Sequence, residues 1–137
     1  MALVLDTGPL FASLNRRDDY YKSCRQLIEE ASERVVIPSP VLPEVDYFIT
    51  TRLHPGVRLA LLHDIRIGAY EVEDLIAEDY ERIEELCANY RDADIGFVDA
   101  AVFAVVERLN ESKLATLDRA HFGLLRPRHT ASLTLLP

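Results

Sequence analysis

The sequence predicts an α/β fold: a three-layer α/β/α sandwich with a mostly parallel central sheet, formed by residues 1–137 as a single domain. Two observations support this fold class. Short apolar runs, typical of strands buried on both faces, alternate with longer stretches of helical periodicity. No repeat, linker or low-complexity tract divides the 137 residues, and this length suits one hydrophobic core.

The first predicted elements are a strand and two helices. Residues 3–5 form a continuous apolar run, as expected for a buried strand. Gly8 and Pro9 end this run and can open a short helix. Asp18 or Asp19 is the expected N-cap of a longer helix that ends near residue 31.

The next two elements repeat the order of strand and helix. Residues 35–37 are apolar and β-branched, which predicts a second buried strand. Ser39 followed by Pro40 indicates an N-cap and the first position of a helix. Val41, Val45 and Ile49 lie at helical spacing and define its inner face.

The second half of the chain continues the alternation. We predict a helix over residues 57–67, a short strand over 70–72, helices over 74–90 and 97–109, and strands over 114–117 and 132–136. The helix over 97–109 is apolar almost all round, which is typical of a buried helix.

Composition narrows the possible functions. No segment has the length and apolar character of a membrane span, and no secretory signal is visible. Cys24 and Cys87 have no neighbouring cysteine or histidine at ligand spacing, so we expect reduced thiols and a cytoplasmic protein. The net charge of −8 is unfavourable for a nucleic-acid enzyme unless a bound cation reverses the field at the site.

Four acidic residues stand out by position. Asp6 is the only charged residue among the first fifteen and follows the first strand. Asp99 is the only charge between residues 95 and 106, inside the apolar helix. Asp118 follows the strand over 114–117, and Glu44 lies one turn from Val41 on an inward-facing flank. Because sites in parallel sheets form at the carboxyl ends of strands, we expect these four side chains to converge.

Each acid also has an ordinary structural explanation. Asp6 could cap the following helix, Asp99 could favour its helix N-terminus, Glu44 could be solvated, and Asp118 could be a turn residue. Together, however, four clustered carboxylates repel strongly: two charges about 4 Å apart cost about 4 kcal/mol at an effective dielectric of about 20. A hard divalent cation removes that penalty, and Mg²⁺ or Mn²⁺ suits sites made of carboxylates.

Three further residues are candidate supporting groups. The hydroxyls of Thr7 and Thr116 could orient a carboxylate or a metal-bound water, or could simply satisfy local backbone groups. Asp94 precedes the buried helix and could lean into the cluster. The four histidines are scattered, and we interpret them as surface or core residues, with only His121 near an acid.

These residues occur in segments that resemble a known family. The segments are residues 3–10, 43–47, 95–101 and 115–119, the last reading Ala-Thr-Leu-Asp-Arg and followed by His121 and Phe122. They are similar to the four motifs of PIN-domain proteins, most of all the VapC-type toxins of bacterial toxin–antitoxin pairs. The resemblance implies an α/β/α sandwich, an Mg²⁺- or Mn²⁺-dependent endoribonuclease acting on RNA, a homodimer, and inhibition by a cognate antitoxin. It also implies that Asp6, Glu44, Asp99 and Asp118 are the family's acidic residues.

Other classes fit less well. The triplet that begins at Asp6 also matches aspartic proteases, but their fold is all-β. A receiver domain would need a lysine after its last strand, and a haloacid-type phosphatase would need an aspartate where Gly8 stands. A catalytically inactive PIN-like partner-binding module is the remaining alternative, and the intact set of four acids argues against it.

Overall fold

The computed structural model describes all residues, 1–137. Five strands form the sheet: β1 (Ala2–Val4), β2 (Arg34–Pro38), β3 (Glu71–Glu73), β4 (Lys113–Ala115) and β5 (Thr134–Leu136). Seven α-helices accompany them: α1 (Thr7–Leu14), α2 (Tyr21–Glu29), α3 (Val41–Arg52), α4 (Pro55–Arg66), α5 (Ala77–Asn89), α6 (Phe97–Arg108) and α7 (Arg119–Leu124). A short 3-10 turn (Arg91–Ala93) precedes α6.

All paired strands are parallel, in the order β3-β2-β1-β4-β5. Continuous ladders join β1 to β2, β2 to β3, and β4 to β5. The two halves meet at a single parallel bridge between Leu5 and Ala115, where the Asp6 amide donates to the Ala115 carbonyl at 2.9 Å. The sequence-based prediction of an α/β fold with a parallel sheet is confirmed. Because β1 and β4 are neighbours, the residues that follow them, Asp6 and Thr116, lie side by side.

The core is built from the strands and the apolar faces of the helices. Helix α1 packs on α2 and α3, α3 packs on α4, and α5 packs on α6. As predicted, α6 is buried almost all round: Ala100 to Val106 are all inaccessible to solvent or nearly so. None of the helices combines the length and the apolar character that a membrane crossing requires.

Several boundaries differ from the sequence-based predictions. Tyr20, not Asp18 or Asp19, occupies the N-cap of α2, because the Asp18 carboxylate instead accepts from the Tyr20 amide at 2.8 Å in a turn before the helix. Pro40, not Ser39, is the N-cap of α3, and the Ser39 carbonyl accepts from the Leu42 amide.

The start of α5 and the whole of α7 were also not predicted. Helix α5 begins at Ala77 because the Asp79 carboxylate turns back to accept from the Ile76 amide at 3.0 Å. Helix α7 is only six residues long and is started by Asp118, whose side chain accepts from the His121 amide at 3.1 Å. Local hydrogen bonds of this kind leave no periodic pattern in the sequence.

Candidate active site

The four acids predicted from the sequence line one pocket at the carboxyl ends of β1 and β4. Its volume is about 460 Å³. We call this the acidic pocket; its lining residues are Asp6, Thr7, Gly8, Phe11, Asp18, Glu44, Phe48, Arg52, Asp99, Leu117 and Asp118. The acids come from four separate parts of the chain, so the pocket exists only in the folded protein.

Asp6 is the most deeply buried acid of the pocket. It occupies the N-cap position of α1 but makes no capping hydrogen bond with its side chain. Its Oδ2 instead accepts from Thr116 Oγ1 at 2.8 Å, and only 6% of the residue is exposed. Burial raises the pKa of Asp6 to about 6, assisted by the charges of Asp99 and Glu44 and opposed by the hydrogen bond from Thr116. The ordinary capping explanation therefore does not account for this carboxylate.

The imidazole of His121 lies close to the carboxylates of both Asp99 and Asp118. Asp99 lies in the first turn of α6, and its Oδ2 is 3.5 Å from His121 Nδ1. The same Nδ1 is 2.7 Å from Asp118 Oδ2. Burial and the Asp118 charge raise the pKa of Asp99, while His121 opposes the shift. The hydrogen bond with Asp118 raises the pKa of His121.

Glu44 projects from the first turn of α3 and is half-buried. Its charge acts on both Asp6 and Asp99, which places it among the acids that face the pocket. Asp46, two residues further along the helix, instead forms an ion pair with Arg58 on α4. The inward flank predicted from helical spacing therefore holds Glu44 and leaves Asp46 outside.

The three predicted supporting residues have different outcomes. Thr116 is fully buried and joins two parts of the site, because its Oγ1 donates to Asp6 and accepts from the Asp118 amide at 3.0 Å. Thr7 lines the pocket, and its buried Oγ1 has no hydrogen-bond partner. Asp94 is exposed, sits in a left-handed conformation (φ 56°) after the 3-10 turn, and does not line the pocket. It contributes only a distant charge that acts on His121.

Sequence reasoning missed three polar residues of this region. His121 was interpreted as a surface or core residue, yet it lies between two of the acids. The spacing of three residues between Asp118 and His121 was the available signal, since it places both on one helical turn. Arg52 and Asp18 also line the pocket, and nothing in their local sequence distinguishes them from solvated charges.

The donor set of the pocket fits a hard divalent cation. Carboxylate oxygens from Asp6, Glu44, Asp99 and Asp118 are the ligands that Mg²⁺ and Mn²⁺ prefer. Asp99, Asp118 and His121 already offer ligand atoms within 4.8 Å of one another. The buried Thr7 hydroxyl without a partner points to a missing polar neighbour, since buried hydroxyls are normally hydrogen-bonded.

Fold and site together define the class of this protein: a parallel α/β domain with a carboxylate-lined pocket at the carboxyl ends of its central strands. The PIN domain family model matches residues 3–124, and the chain belongs to that family. The resemblance noted from the four sequence segments is thereby confirmed.

Comparison with individual proteins agrees with this assignment. The chain is 29% identical over 135 residues to Ribonuclease VapC26 of Mycobacterium tuberculosis, covering 98% of this chain and all of that protein. Among solved structures, it resembles the sarcin–ricin-loop-cleaving toxin VapC20 of M. tuberculosis with a TM-score of 0.71 and 23% identity, over 83% of this chain and 87% of the other. VapBC2 of Rickettsia felis, bound to a promoter DNA fragment, gives a TM-score of 0.71 at 22% identity, over 98% and 97% of the two chains.

A third structure, FitAcB of Neisseria gonorrhoeae, has a TM-score of 0.72 at only 12% identity, over all of this chain and 97% of the other. At identities this low, the three structural likenesses establish the fold alone.

Proposed function

We propose that this protein is a metal-dependent endoribonuclease and the toxin of a toxin–antitoxin pair. The observation that carries the proposal is the meeting of Asp6, Glu44, Asp99 and Asp118 in one pocket, with Asp6 almost fully buried. Burying carboxylates without a compensating charge costs several kcal/mol or more, so a cluster of four is expected where it has a use. The relative named a ribonuclease, which aligns over nearly the whole chain, supports RNA as the substrate.

Mg²⁺ or Mn²⁺ held here would act as a Lewis acid on a phosphate oxygen and lower the pKa of a bound water. Asp6 and Asp99 are the proposed direct ligands. Glu44 would be a water-positioning ligand or a base, and Asp118 would be an outer ligand or a ligand of a second ion.

The remaining polar groups position these carboxylates. Thr116 holds Asp6 in place through its 2.8 Å hydrogen bond, and His121 does the same for Asp118 at 2.7 Å. Such partners fix the direction in which a ligand oxygen points and tune its basicity. Thr7 can offer its unpartnered hydroxyl to a bound water.

We also propose a cognate antitoxin as partner and a homodimeric assembly in the cytoplasm. The relative Ribonuclease VapC26, which aligns over 98% of this chain, supports the assignment to a toxin–antitoxin system, and the toxin VapC20 and the VapBC2 of R. felis share the fold. Co-expression with the product of a small open reading frame next to this gene should rescue growth of cells that express this protein. Unchanged toxicity would count against the antitoxin.

The nuclease assignment is tested with Asp99→Asn. We expect this variant to lose Mn²⁺-dependent cleavage of RNA, to bind Mn²⁺ more weakly in calorimetry, and to melt at a higher temperature than wild type in EDTA. Asp74→Asn is the matched control, since Asp74 is exposed and its carboxylate has no hydrogen-bond partner. Normal cleavage by the Asp99 variant would refute the site. A wild-type protein that cleaves no RNA but binds a protein partner would favour the inactive partner-binding module.

A further inference from the structure

Only about half of the basic side chains of this acidic protein form ion pairs with acidic residues. Seven of its 15 lysines and arginines form ion pairs, which leaves eight without an acidic partner. Three of these eight, Arg16, Arg17 and Arg52, line a single groove. In a chain with 23 acids, three exposed arginines left unpaired at one place require an explanation.

This basic groove lies where the end of α1 meets the end of α3. Its volume is about 700 Å³, and the residues lining it are Leu14, Asn15, Arg16, Arg17, Arg52, Leu53, His54 and Val57. None of them is acidic. The wall thus combines three cations with apolar side chains and the imidazole of His54, whose Nδ1 accepts from the Gly56 amide at 3.2 Å and so holds the ring in place.

The groove adjoins the acidic pocket at Arg52, the one residue that lines both. Its guanidinium lies over the ring of Phe48, 4.6 Å from the centroid, and 5.9 Å from that of Phe11. Both rings also line the acidic pocket. Cation–π contacts of this kind hold the guanidinium in position while leaving its hydrogen-bond donors free.

We propose that the basic groove binds the backbone of single-stranded RNA next to the acidic pocket, with Arg52 contacting the phosphate at the junction of the two. This inference rests on the proposed nuclease function and adds the substrate path to it. An RNA strand engaged in the acidic pocket must extend beyond it, and the adjoining groove is lined by arginines and by no acid. Arginine forks match phosphate oxygens, and a fixed imidazole beside apolar side chains suits an unstacked base.

Binding is measured separately from cleavage. Asp99→Asn protein in Mg²⁺ is titrated into a fluorescent single-stranded RNA at several salt concentrations, and anisotropy is recorded. Arg16→Ala, Arg17→Ala and Arg52→Ala in this background should each weaken binding about 3- to 10-fold and reduce the slope of log affinity against log salt by about 0.7. Arg126→Ala is the control, because Arg126 is exposed, has no ion-pair partner and lies outside the groove.

The outcomes distinguish the groove from the nuclease. If wild type cleaves RNA while the three variants bind it like the control, the groove proposal is overturned and the nuclease stands. If wild type cleaves nothing but the variants lose RNA binding, the groove stands and the nuclease fails. If the three arginine variants lose binding of a poly-glutamate peptide but bind RNA as the control does, an acidic protein segment is the ligand and the proposal is wrong. Arg16 and Arg17 make no side-chain hydrogen bond, so a folding defect is not expected for them.

Discussion

Thr116 connects the two strands whose ends carry the site. Its hydroxyl donates to Asp6 Oδ2 and accepts from the Asp118 amide. One buried oxygen atom therefore holds both the carboxylate of Asp6 and the backbone of Asp118 in position. The neighbouring main chain is fixed as well, because the Thr116 amide donates to the Leu136 carbonyl at 2.8 Å. A residue with no charge thereby sets the distance between two charged ones.

Replacing Thr116 with valine keeps the shape of the side chain and removes both hydrogen bonds. The Asp118 amide and the Asp6 carboxylate then each lose a partner, and an unsatisfied buried polar group costs about 1–3 kcal/mol. We expect Thr116→Val to lower the free energy of unfolding by about this amount in urea denaturation and to weaken Mn²⁺ binding. Thr116→Ser keeps the hydroxyl and should restore metal affinity. Equal Mn²⁺ affinity in the two variants would show that the hydroxyl does not position Asp6.

At the residue scale, the acids of the site were predictable where a single acidic residue stands in an otherwise uncharged, apolar segment. Asp6 and Asp99 are single acids in apolar surroundings, and in the structure Asp6 is buried and Asp99 is half-buried. His121 and Arg52 could not be found this way. Their positions depend on contacts with Asp118, Asp99 and Phe48 that are set by folding, and exposed arginines are ordinary on any surface.

Among the elements, the short helix α7 is the one most directly tied to the site. Asp118 Oδ1 accepts from the His121 amide at the helix start, while Oδ2 contacts His121 Nδ1. The same carboxylate therefore starts the helix and faces the other acids. Substitutions of Asp118 can separate these two roles, because asparagine caps helices about as well as aspartate and alanine does not.

We expect Asp118→Ala to lower the free energy of unfolding by about 1 kcal/mol through loss of the cap, whereas Asp118→Asn stays close to wild type in metal-free buffer. Both should reduce Mn²⁺-dependent cleavage, since both remove the charge. Urea denaturation in EDTA and a ribonuclease assay measure the two effects. Full cleavage by the asparagine variant would restrict Asp118 to a structural role.

Helices and strands with strong patterns were predictable, and those built by side-chain hydrogen bonds were not. The buried helix α6 and the strands β1 and β2 follow from runs of apolar residues that bury against the core. Helix α7 has six residues and one buried side chain, Phe122, too little for a periodic signal. The observed N-caps of α2 and α3 lie one or two residues after the predicted ones. The Asp18 carboxylate forms a turn before α2, and the Ser39 hydroxyl does not cap α3.

For the whole molecule, the acidic pocket couples chemistry to stability. The pKa of Asp6 is raised from its ordinary 3.8 to about 6, so the folded protein holds this proton more tightly than the unfolded chain. Between about pH 4 and 6 the folded state therefore binds more protons, and the free energy of unfolding falls as pH rises. Asp99, whose pKa is also raised, acts in the same direction. Above pH 6 the full penalty of the buried charges is present in the metal-free protein.

We therefore expect metal-free protein to lose about 2–3 kcal/mol of stability at Asp6 as pH rises from about 4 to 6.5. Mn²⁺ should restore it at neutral pH, because a cation that binds only the folded state at about 100 times its Kd adds about 2.7 kcal/mol. Urea denaturation across pH, in EDTA and in Mn²⁺, measures both effects. Asp6→Asn should flatten the metal-free profile and respond less to Mn²⁺, while NaCl at equal ionic strength controls for screening. If the stability of the metal-free wild type rises through this pH range, the pocket does not need a cation to offset its buried charges.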